Sequence, residues 1–145
     1  MGWSGAAFYR GPMITALHTL VYADDPAAAR DFFRDVLRFP ATDTGGGWLI
    51  FRTGPSELGV HPSSWEHGGE SGRTEQRFDL SLMCDDLTAT MAELEERGAE
   101  FDGEVSEQPW GTTVQLVVPG AGTMTLYQPH YDPPALGTTE LEAMW

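Results

Sequence analysis

Basic residues are scarce in this chain, and lysine is missing altogether. Eight arginines stand against 22 aspartates and glutamates, which gives a formal net charge of −14 at pH 7. Because a surface of that sign repels phosphate backbones and anionic lipid, we expect no nucleic-acid partner and no membrane partner. The missing lysine also excludes a lysine-containing phosphate loop at the glycine run Gly45–Gly47.

Cysteine and long apolar stretches are scarce as well. Cys84 is the single cysteine of the 145 residues, which excludes an internal disulfide and a cysteine-cluster metal site. Apolar runs such as Trp48–Phe51 are far shorter than the roughly 20 residues of a membrane-spanning helix. The stretch Met1–Met13 has one late basic residue, Arg10, and is not typical of a secretion signal. With 41% hydrophobic residues, the sequence predicts a single soluble domain in the cytoplasm.

The chain repeats a pattern of one strand followed by one helix. Strand-like alternation over 17–22, and again over 78–84, leads each time into a pair of aspartates. The second member of each pair, Asp25 or Asp86, is a typical helix N-cap, and apolar residues follow it at helical spacing. Short β-rich runs separated by glycine and proline turns come next, and in the first repeat they end with a strand over 57–61.

Two βαβββ repeats therefore account for most of the chain, and the predicted fold class is α+β. Repeat one covers 14–62, repeat two covers 78–130, and the polar segment 63–77 between them is interpreted as a surface loop. Residues 1–13 form an N-terminal extension and residues 131–145 a C-terminal tail. Aromatic residues in these two ends are candidates for docking on a partner subunit: Trp3, Phe8, Tyr9 and Trp145.

Strand parity places two ionisable residues on the same side of the sheet. Alternate residues of a strand face opposite sides, so the residues that pack on the helices leave His18 and Asp79 at equivalent positions on the other side. We call the side away from the helices the inner face. Cys84 has the opposite parity, which predicts a buried, unreactive thiol rather than a nucleophile. Parity assigns further residues to the inner face: Leu20, Tyr22, Met83 and Tyr127.

The ordered motifs of both repeats resemble the vicinal oxygen chelate superfamily, which includes glyoxalase I, extradiol dioxygenases, fosfomycin-resistance enzymes and bleomycin-resistance proteins. The stretches that carry this resemblance are Leu17–Pro26, Phe32–Leu37, Asp85–Gly98, Gln108–Gly111 and Leu126–Pro129. The resemblance implies two βαβββ modules that form a curled mixed sheet around a cavity, with the helices on the outer face. It also implies assembly as a homodimer.

In metal-dependent members of that superfamily the ligands come from equivalent strand positions, and this chain departs from the pattern. The four positions fall on His18, Gly59, Asp79 and Thr125. Glycine has no donor, and the last two positions usually carry histidine and glutamate. A catalytic metal needs three or four protein ligands, and His61 or Glu57 lies about 7 Å along the strand from the Gly59 position. We therefore expect no cofactor; a divalent metal on His18 and Asp79, with His61 or Glu57, is the alternative.

Without a metal, the chain is similar to members that sequester a small organic molecule in an apolar and aromatic cavity. Aromatic rings supply stacking surfaces, and an arginine in an acidic chain suits an anionic or carbonyl ligand. The candidate ligand-binding residues are His18, Tyr22, Arg52, His61, Asp79, Trp110, Thr125 and Tyr127, with Trp48 as a further candidate. Structural alternatives remain open, namely a hydrogen-bonded His18–Asp79 pair, ordinary packing for Trp48 and Trp110, and a solvated strand end for Arg52.

The predicted function is glyoxalase/bleomycin-resistance-like binding of a small organic molecule, without a catalytic metal, in a homodimer. Whether the chain is an enzyme stays open, and no catalytic residue is assigned. One alternative is a metal-dependent lyase, isomerase or dioxygenase that uses His18 and Asp79. A second is a non-catalytic dimerisation module whose cavity is filled by its own side chains. Metal dependence of any activity tests the first, and a ligand-induced rise in melting temperature argues against the second.

Overall fold

The computed structural model describes residues 18–134, and its first helix begins where the sequence predicts. Helix α1 spans Pro26–Asp31 and continues as a π-helical turn over Phe32–Val36. The Oδ1 atom of Asp25 accepts a hydrogen bond from the amide of Ala28 at 3.1 Å. Pro26 occupies the first helical position, where no amide donor is needed. The predicted N-cap is confirmed.

Two small antiparallel hairpins follow α1. Strand β1, Ala41–Asp43, pairs with β2, Leu49–Phe51, and strand β3, Ser64–His67, pairs with β4, Glu70–Arg73. The second hairpin corrects the prediction of a loop over 63–77. Its turn is formed by two glycines at φ 60° and 84°, a conformation that glycine adopts without strain and that suits a two-residue hairpin.

The second half of the described chain forms a four-stranded sheet with one helix. Its elements are β5, Ser81–Met83, α2, Leu87–Glu96, β6, Phe101–Gln108, β7, Gly111–Val118, and β8, Gly122–Pro129. The strand order is β5-β8-β7-β6, in which β5 runs parallel to β8 and the other neighbours are antiparallel. Asp86 caps α2 by accepting a hydrogen bond from the amide of Ala89 at 3.0 Å, as predicted.

The first half departs from the predicted βαβββ unit at both of its outer strands. Residues 18–22 and 57–61 form no strand, and Tyr22 and Val60 are exposed. Alternation gives a segment a preference for β structure, but a strand also needs a neighbour for its backbone groups, and neither segment has one among the described residues. The described residues therefore form a mixed α+β structure with one four-stranded sheet and two hairpins, and the single curled sheet around a cavity that the resemblance implies is not seen in them.

Both helices pack on one face of the four-stranded sheet. Leu116 of β7 is fully buried there, and the core residues around it come from the helices and strands: Ala29, Phe32, Leu87, Leu94, Val114, Val118, Met124 and Leu126. Successive strand residues point to opposite faces. The alternate residues of β7 and β8 consequently lie on the inner face.

Helix α1 is attached to the second half by hydrogen bonds as well as by packing. The amide of Asp25 donates to the carbonyl of Gly120 at 3.1 Å, and the Arg97 guanidinium donates to the carbonyl of Val36 at 2.9 Å. The two halves thus share one core. No helix within residues 18–134 has the length and apolar character to cross a membrane. The aromatic candidates of the chain ends lie outside the described residues: Trp3, Phe8, Tyr9 and Trp145.

Candidate functional site

The inner face presents polar and aromatic side chains in rows across the strands. In one row the register pairs Met83 with Tyr127, and Tyr127 with Thr113. In the next row, Thr125 lies between Ser81 and a glutamine at position 115 of β7. The side-chain amide of that glutamine donates to Thr125 Oγ1 at 3.0 Å. The middle of the inner face therefore offers neutral hydrogen-bonding groups.

Three aromatic side chains meet at the end of β8, and we call them the aromatic corner: Trp110, Tyr127 and Tyr131. The ring of Trp110 packs edge-on against Tyr127, with centroids 5.2 Å apart. Tyr127 is only 8% exposed, whereas Trp110 is 46% and Tyr131 39% exposed. The amide of His130 donates to the Trp110 carbonyl at 2.9 Å, which extends the pairing beyond β8 and holds Tyr131 in place. The corner is a buried ring between two accessible ones.

A chain of hydrogen bonds connects the aromatic corner to Glu57. The Tyr131 hydroxyl donates to Glu57 Oε2 at 2.6 Å. This bond uses the single proton of Tyr131, so the Tyr127 hydroxyl donates to Tyr131 across 2.8 Å. Burial and these two hydrogen bonds raise the pKa of Tyr131 well above its ordinary value, which keeps the phenol neutral.

The carboxylate of Glu57 is only partly satisfied. Its Oε1 atom is sealed from solvent and has no hydrogen-bond partner among the described residues. A buried acceptor without a donor costs about 1–3 kcal/mol. Glu57 belongs to the segment 57–61, for which the sequence predicts a strand, but the segment is irregular and Glu57 contacts Tyr131 just beyond β8.

The predicted residues His61 and Asp79 do not join the aromatic corner. The His61 ring lies edge-on to Trp65 with centroids 5.2 Å apart, and its Nδ1 donates to the carbonyl of Pro62 at 2.7 Å. Asp79 accepts a hydrogen bond from the adjacent amide of Leu80 at 2.9 Å. His18, its expected partner, is exposed in irregular chain before α1. The structure therefore gives no hydrogen-bonded His18–Asp79 pair.

Three other candidates lie elsewhere on the molecule. Tyr22 is exposed. Arg52 follows β2 and lines an open depression of about 350 Å³ on the first hairpin. The Arg30 guanidinium lies 4.9 Å from the ring centroid of Trp48, a cation–π arrangement that gives this tryptophan a packing partner on α1. Their role in binding a ligand stays a prediction.

Cys84 is half-buried at the end of β5, on the helix side of the sheet. Burial raises the pKa of its thiol, and Sγ lies 3.5 Å from the carbonyl oxygen of Tyr127, to which it donates. Both observations fit the expected unreactive thiol.

A sequence model of the Glyoxalase/Bleomycin resistance protein/Dioxygenase superfamily matches residues 15–118, which is more than half of the chain. The chain belongs to this superfamily. The membership confirms the resemblance drawn from the sequence motifs.

Individual relatives of this superfamily member are distant. It is 30% identical over 112 residues to the uncharacterized protein YetH of Bacillus subtilis (strain 168), covering 72% of this chain and 90% of YetH. Its fold is similar to that of TnmS3, an antibiotic binding protein from Streptomyces sp. CB03234, with 24% identity and a TM-score of 0.50. The match covers 82% of this chain and 99% of TnmS3. It is also similar to that of a lactoylglutathione lyase from Agrobacterium tumefaciens, with 19% identity and a TM-score of 0.52. This match covers 80% of this chain and 95% of the lyase.

The residues present do not fit the metal site of the superfamily's metal-dependent members. Within residues 18–134, no three histidine, cysteine, aspartate or glutamate side chains lie close enough to share an ion. The two proposed third ligands have other partners, since Glu57 contacts Tyr131 and His61 contacts Pro62. Thr125, at the position where metal-dependent members usually carry a glutamate, accepts a hydrogen bond from a neutral side-chain amide. That the protein binds no metal stays a prediction.

Tyr131 is the site residue that the sequence reasoning missed. The predicted boundaries place it in the C-terminal tail, one residue beyond repeat two. The signal that could have found it is the strand period of two, because Tyr131 lies two positions beyond Pro129, the last residue of β8, and its hydroxyl lies 2.8 Å from that of Tyr127. Its contact with Glu57 joins residues 74 positions apart and has no local signature.

Proposed function

We propose that this chain binds a small organic molecule at the aromatic corner of the inner face, without a catalytic metal. The observation that carries the proposal is the Trp110–Tyr127 pair, in which a buried ring supports a tryptophan that is 46% exposed. Tyr131 adds a second accessible ring beside it. Each aromatic contact with a flat ligand contributes about 0.5–1.5 kcal/mol beyond the apolar area it buries.

Three further observations support binding rather than metal-dependent chemistry. Thr125, which is partly exposed, gives the adjacent inner face a neutral hydroxyl group that can hydrogen-bond to a ligand. The described residues supply no three-ligand metal set. TnmS3, which has a similar fold, is an antibiotic binding protein, so small-molecule binding has a precedent on this fold.

A melting-temperature screen of aromatic small molecules tests the proposal. The full chain is compared with Trp110→Ala and with the matched control Trp48→Ala, because Trp48 is similarly exposed but packs under Arg30. A ligand at 100 times its Kd stabilises the native state by about 2.7 kcal/mol, which gives a clear rise in Tm. We expect hits with the full chain and with Trp48→Ala that are lost in Trp110→Ala.

Two results of the screen contradict the proposal. Hits that persist in Trp110→Ala place the site elsewhere, and a library without hits indicates that the corner binds nothing of this kind.

The screen is repeated after dialysis against EDTA. We expect unchanged hits, whereas hits that disappear and return with zinc, nickel or manganese show metal-dependent binding.

We also propose that the chain assembles as a homodimer. Large apolar side chains are exposed in the first half of the structure and just before β5. Val60 is 95% and Phe78 90% exposed, and Leu58 and Tyr22 are exposed to a similar extent. Contact with a second chain would remove this apolar surface from water, which favours association. Sedimentation equilibrium is expected to give twice the mass of one chain. A single-chain mass at every concentration contradicts the assembly.

A further inference from the structure

The hydrogen bonding of Glu57 shows what the aromatic corner lacks. A carboxylate can accept about four hydrogen bonds, and Glu57 receives one, from Tyr131. Neither phenol can supply another, because Tyr131 donates its proton to Glu57 and Tyr127 donates its proton to Tyr131. The missing donor for Oε1 therefore comes from outside this cluster.

The segment that carries Glu57 is held by few backbone hydrogen bonds. Backbone bonds of 2.9 Å fix the chain at Arg52, whose amide donates to Pro40, and at Ser63, whose carbonyl accepts from Thr74. Between these two points, residues 53–62 make no backbone hydrogen bond to any described residue. A segment without such bonds shifts at low cost. Access of an outside donor to Oε1 would require a displacement of residues 53–62, and no backbone hydrogen bond of that segment opposes it.

The charges around Glu57 indicate which donor fits. Its one hydrogen-bonded neighbour, Tyr131, is a neutral phenol, and no arginine of the described chain forms an ion pair with it. A cationic donor forms a stronger, charge-assisted hydrogen bond with a carboxylate than a neutral donor does. A cation also gains from lying over the faces of tyrosine and tryptophan. An anionic group is repelled by the carboxylate.

We propose that the ligand is an aromatic molecule with a protonated amine or guanidinium group, which Glu57 receives while the ring lies against Trp110 and Tyr131. This inference rests on the proposed function, because it names the ligand class for the same corner. It assigns Glu57 a role in specificity that is separate from the aromatic contacts.

Three probes with one ring system and different charge test the inference. The full chain is titrated by calorimetry with 1-naphthylmethylamine, 1-naphthylmethanol and 1-naphthaleneacetate, in 0.15 M and in 0.5 M NaCl. The higher salt screens the net charge of −14, which attracts any cation at long range. We expect the amine to bind about ten times more tightly than the alcohol at both salt concentrations, the difference of one charge-assisted hydrogen bond. The acetate is expected to bind most weakly.

Two variants that each remove one negative charge distinguish a direct contact with Glu57 from long-range attraction by the net charge of the protein. Glu57→Gln is expected to bring the amine to within about threefold of the alcohol. Glu95→Gln, an exposed residue of α2, removes the same charge and is expected to keep the tenfold preference. If Glu57→Gln does not fold, Glu57→Asp replaces it, and the shorter side chain is expected to weaken the preference.

The outcomes distinguish this inference from the proposed function. Equal binding of all three probes that is lost in Trp110→Ala overturns the cation preference alone. A preference that persists in Glu57→Gln, or that disappears equally in Glu95→Gln, also overturns the role of Glu57. If none of the probes binds, or if binding is indifferent to Trp110→Ala, the proposed function fails together with the inference.

Discussion

The contact between helix α1 and the β7–β8 turn predicts that two nearby glycines respond differently to alanine. Gly120 and Gly122 both have positive φ, 77° and 89°. A Cβ at Gly120 would lie 2.6 Å from both the Cβ and the carbonyl oxygen of Asp25, whereas a Cβ at Gly122 meets no atom within 4 Å. The first substitution therefore adds a clash with backbone to the strain that both share.

The magnitude follows from these two contributions. Alanine at a left-handed φ costs roughly 1–2 kcal/mol of stability. Because alanine also lowers the entropy of the unfolded chain, about 0.4–1 kcal/mol of this cost is offset in both variants. Overpacking against Asp25 adds about 1–3 kcal/mol in Gly120→Ala, since the displaced aspartate is also the N-cap of α1. We expect a loss of about 1 kcal/mol in Gly122→Ala and about 2–4 kcal/mol in Gly120→Ala.

Urea unfolding at one fixed protein concentration measures the difference, because assembly would otherwise change the apparent stability. With a slope near 1.5 kcal/mol per molar urea, a difference of about 2 kcal/mol separates the two midpoints by about 1.3 M. Equal midpoints for Gly120→Ala and Gly122→Ala would refute the packing of α1 against this turn. They would also question the shared core of the two halves.

Three further predictions concern the core, the aromatic corner and the thiol. Leu116→Ala, at a side chain with 0% exposure, is expected to lower the free energy of unfolding by about 2–5 kcal/mol in urea; a loss below 1 kcal/mol contradicts the core. Tyr131→Phe removes the donor to Glu57 and is expected to cost about 1 kcal/mol, since Tyr131 is 39% exposed and water replaces part of the bond; an unchanged midpoint contradicts that bond. Because burial raises the pKa of Cys84, alkylation by iodoacetamide at pH 8 is expected to be at least about tenfold slower in the native protein than in urea and to accelerate as the pH rises; equal rates contradict the burial.

Local features of the fold could be predicted from the sequence because a few neighbouring residues determine them. The N-caps at Asp25 and Asp86 need only a side-chain acceptor before a helical stretch, and both are present. The β7–β8 hairpin follows from apolar residues at every second position, such as Leu116 and Val118, around a glycine-containing turn.

The first half was predicted less well because its strands depend on partners. Residues 57–61 alternate as a strand does, but alternation does not specify a neighbouring strand, and the segment is irregular. The β3–β4 hairpin was missed for the opposite reason. Its strands are polar and exposed, so they lack the alternation that identifies strands, and the glycine pair at its turn was the one available signal.

Only the part of the candidate site on and beside β8 was predicted from the sequence. Parity placed Tyr127 on the inner face, the family resemblance singled out Thr125 on the final strand, and Trp110 was among the candidates because of its aromatic ring. The link from Tyr131 to Glu57 was not predicted, because it joins the end of one half to an irregular segment of the other. Contacts of this kind depend on the tertiary structure, which no local pattern describes.

Binding at the aromatic corner is tested most directly by the indole N–H signals of the five tryptophans. The ¹⁵N-labelled full chain is titrated with 1-naphthylmethylamine, and Trp110→Phe assigns the signal of Trp110. We predict that the Trp110 signal shifts progressively with the ligand while the signals of Trp48 and Trp65 stay in place. A shift of Trp48 or Trp65 with an unchanged Trp110 signal would contradict the site.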